Sequence, residues 1–324
     1  MDPDYKKKLV GQGYEFIGDH SALKICGWTK KSIRDEGTCY KEQFYGLKAH
    51  RCVQMTPVVN FCDHDCVFCW RERNNSPFTT IDDPKSILEK SPGGQKHQLI
   101  GFGGLDKANK QKLEEAYEPR HYAISLTGEP TYYPKLNEFI KLLKEQGLSS
   151  FLVSNGQLPK VIEKLEMPTQ LYISLDAPNE ELYKKIDQPM RKDGWEKLMQ
   201  TLDVINKLTR ENKTRTVIRI TLIKEMNDNH LEEWAKLIEK ASPHFIEVKS
   251  YMFIGASRQR LELKNMPFPE DVQEFSKKLS ELCSYEIADF HKASRALLMQ
   301  PKDKSKRTPM IIKFDEDGRL KKRS

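Results

Sequence analysis

The chain has 324 residues, enough to bury a sizeable core as one large α/β barrel or two ordinary domains. Its net charge is +7, its pI is about 8.8 and 31% of its residues are charged, a mild basic excess that suits a nucleic-acid partner without requiring one. The start, MDPDYKKKLVGQ, holds no apolar leader and no run of about eighteen apolar residues follows, so a cytoplasmic protein with no membrane association is expected.

In a reducing compartment disulfides are a poor use for cysteine. Seven cysteines occur, and six of them crowd into residues 26–69, a clustering that points to metal. Taken in chain order, residues 1–53 form an N-terminal extension carrying Cys26, Cys39 and Cys52, spaced C-x12-C-x12-C within the polar flanks ICGWTKKS, GTCYKEQF and AHRCVQM. The apolar run QMTPVVNF at 54–61 reads as a first strand ending directly at Cys62. The stretch CDHDCVFCW at 62–70 then places three thiols at C-x3-C-x2-C, and SPGGQKHQLIGFGG at 91–104 reads as a glycine-rich loop.

From about residue 121 the pattern is regular. Strands are expected at 121–127, 149–155, 170–176, 216–223 and 244–251, with amphipathic helical stretches between them. Strand, helix, strand with short connections means parallel strands and right-handed crossovers, so residues 54–283 form a partial (βα)6, TIM-like barrel. Residues 284–324 add a C-terminal extension, with extended runs at 284–290 and 308–314 and exposed basic patches KDKSKR and RLKKRS. Cys283, in a helical pattern without a nearby partner, belongs to the core.

Chemistry in such a barrel sits at the C-terminal strand ends. There the sequence puts the cysteine loop, then Gly128-Glu129-Pro130, then Ser154-Asn155-Gly156, then Ser174 and Asp176. Arg219 lies in the fifth strand on a side the sequence does not fix. Each is ordinary turn chemistry alone; together on one rim they suggest a site. Zinc would want four ligands, and His64 is the one local candidate for the fourth, but packing Cys62, His64 and Cys66 around one ion is awkward. A four-iron cluster takes three thiolates and leaves one iron open, and the spacing favours it.

This constellation resembles the radical S-adenosylmethionine (SAM) superfamily. The resemblance implies that Cys62, Cys66 and Cys69 ligate a [4Fe-4S] cluster whose open iron chelates SAM. Phe68 matches the position that meets the adenine. Gly128-Glu129-Pro130 resembles the GGEP segment that binds the SAM amino group, with Thr127 in place of its first glycine. Ser174 and Asp176 match, more loosely, the segment near the ribose, and Asn155 the third-strand segment. Cleavage of a SAM C–S bond by one electron yields a 5′-deoxyadenosyl radical that abstracts hydrogen.

Three further thiols in polar flanks, just before the first set, favour a second [4Fe-4S] cluster over small buried hydrophobes. With TGEPT, SNGQLP and SLDAPNEELYKKI, the two sets resemble the archaeal tRNA 4-demethylwyosine synthase family over residues 14–285. The resemblance implies a substrate, the anticodon loop of phenylalanine tRNA bearing N1-methylguanosine (position 37), and a second substrate, pyruvate. Hydrogen is taken from the N1-methyl group, the carbon radical attacks the pyruvate carbonyl, the carboxylate carbon is lost and a third ring closes on the base. An external one-electron donor supplies the electron, and a monomer is expected.

Pyruvate could bind the open iron of the second cluster, or a lysine could form a Schiff base with it. Lys41, two residues past Cys39, is the first candidate and Lys48 the second; a surface or structural lysine is the plain alternative. Trp70, Tyr40, Phe44 and Tyr45 could stack on a base, and Arg71, Arg73, Lys30 and Lys31 could hold phosphates, although core and solvated faces are as ordinary a use of each. Two rival readings are another two-cluster radical SAM enzyme acting on a peptide or small metabolite, and a metal-stabilised RNA-binding protein with no activity.

Overall fold

A computed structural model describes residues 1–72, 75–76 and 79–321. Its strands are β1 (Glu15–Phe16), β2 (Ala22–Leu23), β3 (Cys52–Thr56), β4 (His121–Ile124), β5 (Ser149–Ser154), β6 (Gln170–Ser174), β7 (Arg215–Leu222), β8 (Phe245–Ser250), β9 (Tyr285–His291) and β10 (Ala296–Pro301). They form one open sheet in the order β1-β2-β3-β4-β5-β6-β7-β8-β10-β9. Strands β3 to β8 pair in parallel, and the flanking pairs at both ends are antiparallel. This is the expected partial six-unit barrel with additions at each edge. No described helix is long and apolar enough to cross a membrane.

The helices are α1 (Pro3–Gly11), α2 (Gly27–Ile33), α3 (Tyr40–Tyr45), α4 (Pro84–Leu99), α5 (Lys110–Ala116), α6 (Leu136–Glu145), α7 (Pro159–Glu163), α8 (Glu180–Ile186), α9 (Gly194–Arg210), α10 (Leu231–Ala241) and α11 (Pro269–Leu282). In α6, Leu136, Phe139, Ile140 and Leu143 recur at helical spacing and are buried on the sheet. Along the strands the period is two. Leu152, Leu171, Ile173, Ile218 and Ile246 join the large core under the helices. Phe151, Tyr172, Val217 and Phe245 point the other way, into the barrel, where α3 plugs the bottom with Tyr40, Phe44 and Tyr45. The N-terminal extension is therefore the floor of the barrel, and a boundary at residue 53 falls inside β3.

Four local expectations need correction. The first strand ends at Thr56, so residues 57–61 already belong to the loop before Cys62. Residues 91–104 are largely helical: α4 runs to Leu99 and a 3-10 turn follows at Ile100–Phe102. Tertiary packing overrides glycine here, since a Cβ on Gly94 would stand 3.0 Å from Leu23 and 3.1 Å from Ile17. Residues 308–314 form no strand, only an isolated antiparallel bridge of Phe314 to Leu320; Arg215 donates to Pro309 O and to Met310 O, and Ile312 N–H donates to Tyr45 O. The strand that pairs with β8 is instead β10, ALLMQP, which the sequence reading missed. The basic stretch at 302–307 is exposed through Lys306, but Arg307 folds back onto Glu286.

Candidate active site

One cavity of about 450 Å³ opens at the C-terminal ends of the parallel strands. Cys62, Cys66, Cys69, Phe68, Gly128, Glu129, Asn155, Ser174 and Asp176 all line it, with Arg219 facing inward from β7. The cysteine loop is held from several sides. Asp65 N–H donates to Asp187 O and Gln188 O, and Val67 N–H donates to Ile186 O, which ties the loop to the end of α8. Asp63 accepts from Asn155 Nδ2 and from Tyr132 OH, both at 2.7 Å. Arg260 donates to Val67 O at 3.1 Å and to Cys69 O at 2.5 Å.

Gly128 shows why this rim needs a glycine. Its φ is +69°, and a Cβ there would lie 1.7 Å from Val58 O. The close approach lets Glu129 N–H donate to Phe61 O at 2.8 Å, which joins the end of β4 to the cysteine loop. Glu129 accepts from Thr131 N–H at 3.0 Å, Thr131 Oγ1 at 2.6 Å and Asn155 N–H at 2.8 Å. Burial nevertheless lifts its pKa to about 7. Asp176 is likewise pushed up to about 6 by burial, against the pull of Arg219 and a hydrogen bond from Thr221 N–H at 2.6 Å.

The three loop thiols fit a metal centre. Burial raises all three, with Glu129 adding to Cys62 and Asp187 adding to Cys66. Thiols packed this closely in one wall repel as thiolates, and a cationic iron centre reverses that cost. His64, Cys66 and Asp187 also bring donor atoms within 4.8 Å of one another. That group closes on hydrogen bonds instead: His64 Nε2 lies 2.9 Å from Tyr183 OH, and Cys66 Sγ lies 3.6 Å from Asp187 Oδ1.

The second set does not line this cavity. Cys26 and Cys39 each stand just before a short helix, α2 and α3, and Cys52 opens β3. Burial, with a smaller push from Cys26, lifts Cys39 to about 11 and Cys52 to about 12. The three are thus within electrostatic reach of one another, a donor set that also fits a three-thiolate centre. Lys41 is 8% exposed, with Nζ 4.9 Å from the Phe151 ring and 5.1 Å from the Tyr172 ring. Lys48 has its Nζ 3.1 Å from Glu115 Oε2, and neither Lys41 nor Lys48 lines the cavity.

Tyr40, Phe44 and Tyr45 are buried in the barrel floor, so they cannot stack on a base. Trp70 is 40% exposed at the cavity mouth, and Arg71 stacks 3.3 Å from its ring. Arg71 itself is buried, Lys31 is exposed over Trp28, and Arg73 lies outside the described residues. Cys283 is buried in the core as expected. The sequence reading missed Lys249, which lines the cavity from β8 beside Arg219. The signal was a charged residue at every second position of FIEVKS, Glu247 and Lys249, on the face that carries Phe245.

Residues 56–238 match the family model described as Radical SAM superfamily, and residues 240–300 match that described as Wyosine base formation. The S-adenosyl-L-methionine-dependent tRNA 4-demethylwyosine synthase of Pyrococcus abyssi (strain GE5 / Orsay) is 44% identical over 301 residues, 90% of this chain and 87% of that one. A solved structure of TYW1 with a lysine-pyruvate adduct bound superposes with a TM-score of 0.87 at 39% identity, covering 96% of this chain and 99% of the other. A crystal structure of archaeal TYW1 gives a TM-score of 0.79 at 36% identity over the same shares. A cavity lined by three loop cysteines and a glycine-glutamate strand end, in a chain so closely matched over its whole length, makes this protein a member of the radical SAM superfamily and, within it, of the tRNA 4-demethylwyosine synthases.

Proposed function

We propose that the protein condenses N1-methylguanosine in tRNA with pyruvate to form the tricyclic base 4-demethylwyosine by a SAM-dependent radical reaction. The observation that carries this reading is the convergence, in one cavity, of the three loop thiols with Glu129, Asn155, Ser174 and Asp176; Lys41 lies outside that lining, beside the second thiol set. Cys62, Cys66 and Cys69 hold the SAM-binding [4Fe-4S] cluster, and Cys26, Cys39 and Cys52 hold a second one. When bound, the first cluster and SAM supply the one-electron chemistry that generates the hydrogen-abstracting radical.

The remaining roles belong to the chain. Glu129 offers a buried carboxylate to the SAM ammonium, with Gly128 setting the approach. Phe68 covers the adenine, and Asn155, Ser174 and Asp176 supply polar contacts to the ribose side. The cavity walls exclude water from the reacting carbon. Lys41 forms the Schiff base with pyruvate, its amine packed over the Phe151 and Tyr172 rings. Lys48, tied to Glu115, is a structural residue in this account.

The target is guanosine 37 of phenylalanine tRNA, turned out of its stack so that the methyl group enters the cavity mouth. Trp70, backed by Arg71, is the aromatic surface there for a neighbouring base. An external donor supplies the electron, and the enzyme acts as a monomer in the cytoplasm. The test uses tRNA carrying a trideuterated N1-methyl group. Deuterium in the released 5′-deoxyadenosine, absent with Cys62→Ala, is the expected result; unlabelled 5′-deoxyadenosine would contradict the proposed site of abstraction.

A further inference from the structure

One wall of the cavity is not supplied by the shared barrel. Trp28, on α2, lines the cavity, and so do Ala293 and Ser294 in the turn between β9 and β10. Both segments lie outside residues 56–238, the part that matches the superfamily model. The turn falls instead within residues 240–300, the part that matches the model for wyosine base formation. SAM chemistry is common to the superfamily and belongs to the barrel. A wall made where two additions meet answers to what is particular to this family, its substrate.

The wall presents an aromatic ring. Thr29 Oγ1 donates to Ala49 O at 3.1 Å and ties α2 to the turn before β3. The Trp28 indole meets the His291 ring at 84°, with centroids 5.5 Å apart. Ser294 N–H donates to His291 Nδ1 at 3.1 Å, so the turn holds the imidazole that braces the indole. The other neighbour of the indole is Lys31, an exposed residue whose Nζ lies 4.8 Å from the ring centroid. A solvated lysine is a cover that a base can displace, and its ammonium is then free for a phosphate. Ser294 Oγ is buried and has no hydrogen-bond partner among the described residues, which leaves a donor and an acceptor on the same wall.

We infer that Trp28 is the stacking platform for the target nucleobase itself: the N1-methylguanine turned into the cavity lies on the indole, with the Ser294 hydroxyl at its edge. The inference rests on the methylated tRNA substrate proposed above. Trp28 binds and takes no part in bond making. Stacking suits this base because the N1-methyl group lies in the plane of the purine. The ring can be gripped by its face while the methyl carbon stays open to hydrogen abstraction, whereas pairing along the Watson–Crick edge would cover that carbon. Trp70 is left for a neighbouring base.

The test is a binding cycle on the reconstituted holoenzyme with SAM, read by fluorescence anisotropy of end-labelled tRNA. Two probes are compared: phenylalanine tRNA with N1-methylguanosine at position 37, and the same tRNA with an abasic site there. The wild type should bind the methylated tRNA about tenfold or more tightly than the abasic one. In Trp28→Ala that preference should shrink to about twofold or less, while the abasic tRNA binds as it does to the wild type. Trp28→Leu, which fills the wall without an aromatic ring, should lose most of it as well, and Trp28→Phe should keep most of it. Iron content and SAM affinity should match the wild type in all three.

A full preference retained in Trp28→Ala and Trp28→Leu would overturn the inference. So would equal weakening of both tRNAs, because the indole would then touch the backbone or a neighbouring base. Loss of iron would overturn it too, by making Trp28 a brace for the Cys26 set. Absence of tRNA binding in the wild type would remove the tRNA reading, and the platform with it. Base preference lost in Trp28→Ala, with no tricyclic base formed by the wild type, would support the platform while contradicting the proposed reaction.

Discussion

Glu129 is a carboxyl that the fold holds near its tipping point. Buried and lifted to about 7, it takes three hydrogen bonds that favour its charged form without restoring the usual carboxylate range. An incoming ammonium needs the ionised form. Below about pH 7, binding SAM must therefore expel a proton from Glu129, and affinity should fall by about tenfold per pH unit on the acid side and level off above. Equilibrium dialysis of SAM against the holoenzyme from pH 5.5 to 8.5 reads this. In Glu129→Gln the slope should vanish along with most of the affinity; a wild-type profile that is flat across this range would remove the ammonium contact. Gly128 gives a second outcome at this scale. Gly128→Ala, with its Cβ driven into Val58 O, should cost about 3 kcal/mol or more in urea denaturation. Gly156→Ala should cost less, since its φ of +78° is as unfavourable but the nearest atoms are side chains, at 3.1 Å and beyond. The cysteine loop, Glu129, Asn155, Ser174 and Asp176 were legible in the sequence because each follows or ends an apolar run. Lys249 was not, because a lone lysine within a strand carries no sign of which face it takes until the register is known.

At the scale of elements, the cysteine loop is a segment without regular structure that is pinned by its neighbours. Backbone bonds from Asp65 and Val67 to the end of α8, and the Arg260 guanidinium on Val67 O and Cys69 O, replace the ladder a strand would have had. Removing that guanidinium in Arg260→Ala should cost about 1–2 kcal/mol of stability. It should also speed iron loss to a chelator, followed by visible absorption, because it braces Cys69, a ligand in the proposed cluster. Iron retention equal to the wild type would show that the α8 contacts suffice alone. The five strands and five helices from β4 to β8 were legible because each helix shows a 3.6-residue apolar period and each strand a buried run. The segment at 91–104 was not: its glycines argue against helix locally, and only the contacts of Gly94 with β1 and β2 and of Gln95 with Ala116 O make α4 the better state. Likewise 308–314 has strand composition, yet its partners are Arg215, Tyr45 and a single bridge to Leu320, which only the structure brings together.

For the whole molecule, the notable arrangement is that the N-terminal extension is not an appendage. Its helix α3 fills the barrel floor with aromatic side chains and sets Cys39 and Lys41 beside one another there, while Cys52 begins the first barrel strand. The first thiol set lines the cavity, and the second lies outside that lining, at the starts of α2, α3 and β3. That geometry predicts two separate centres. Anaerobically reconstituted protein should hold about eight irons, and Cys26→Ala and Cys62→Ala should each hold about four. About four irons in the wild type, unchanged by Cys26→Ala, would leave the second set without a cluster. The family resemblance was legible from cysteine spacing and strand-end motifs, which are read directly along the chain; the place of the second set was not, since it depends on α3 turning into the barrel.

The most direct test of the central claim follows the carbon atoms. The holoenzyme, with SAM and a reductant, is given tRNA containing N1-methylguanosine and pyruvate labelled with carbon-13 at C1 or at C2 and C3, and the nucleosides are weighed after digestion. The account predicts a new, heavier nucleoside that carries label from C2 and C3, none from C1, and that fails to form without pyruvate. SAM cleavage with the methylguanosine left unchanged, or a product that forms without pyruvate label, would contradict it.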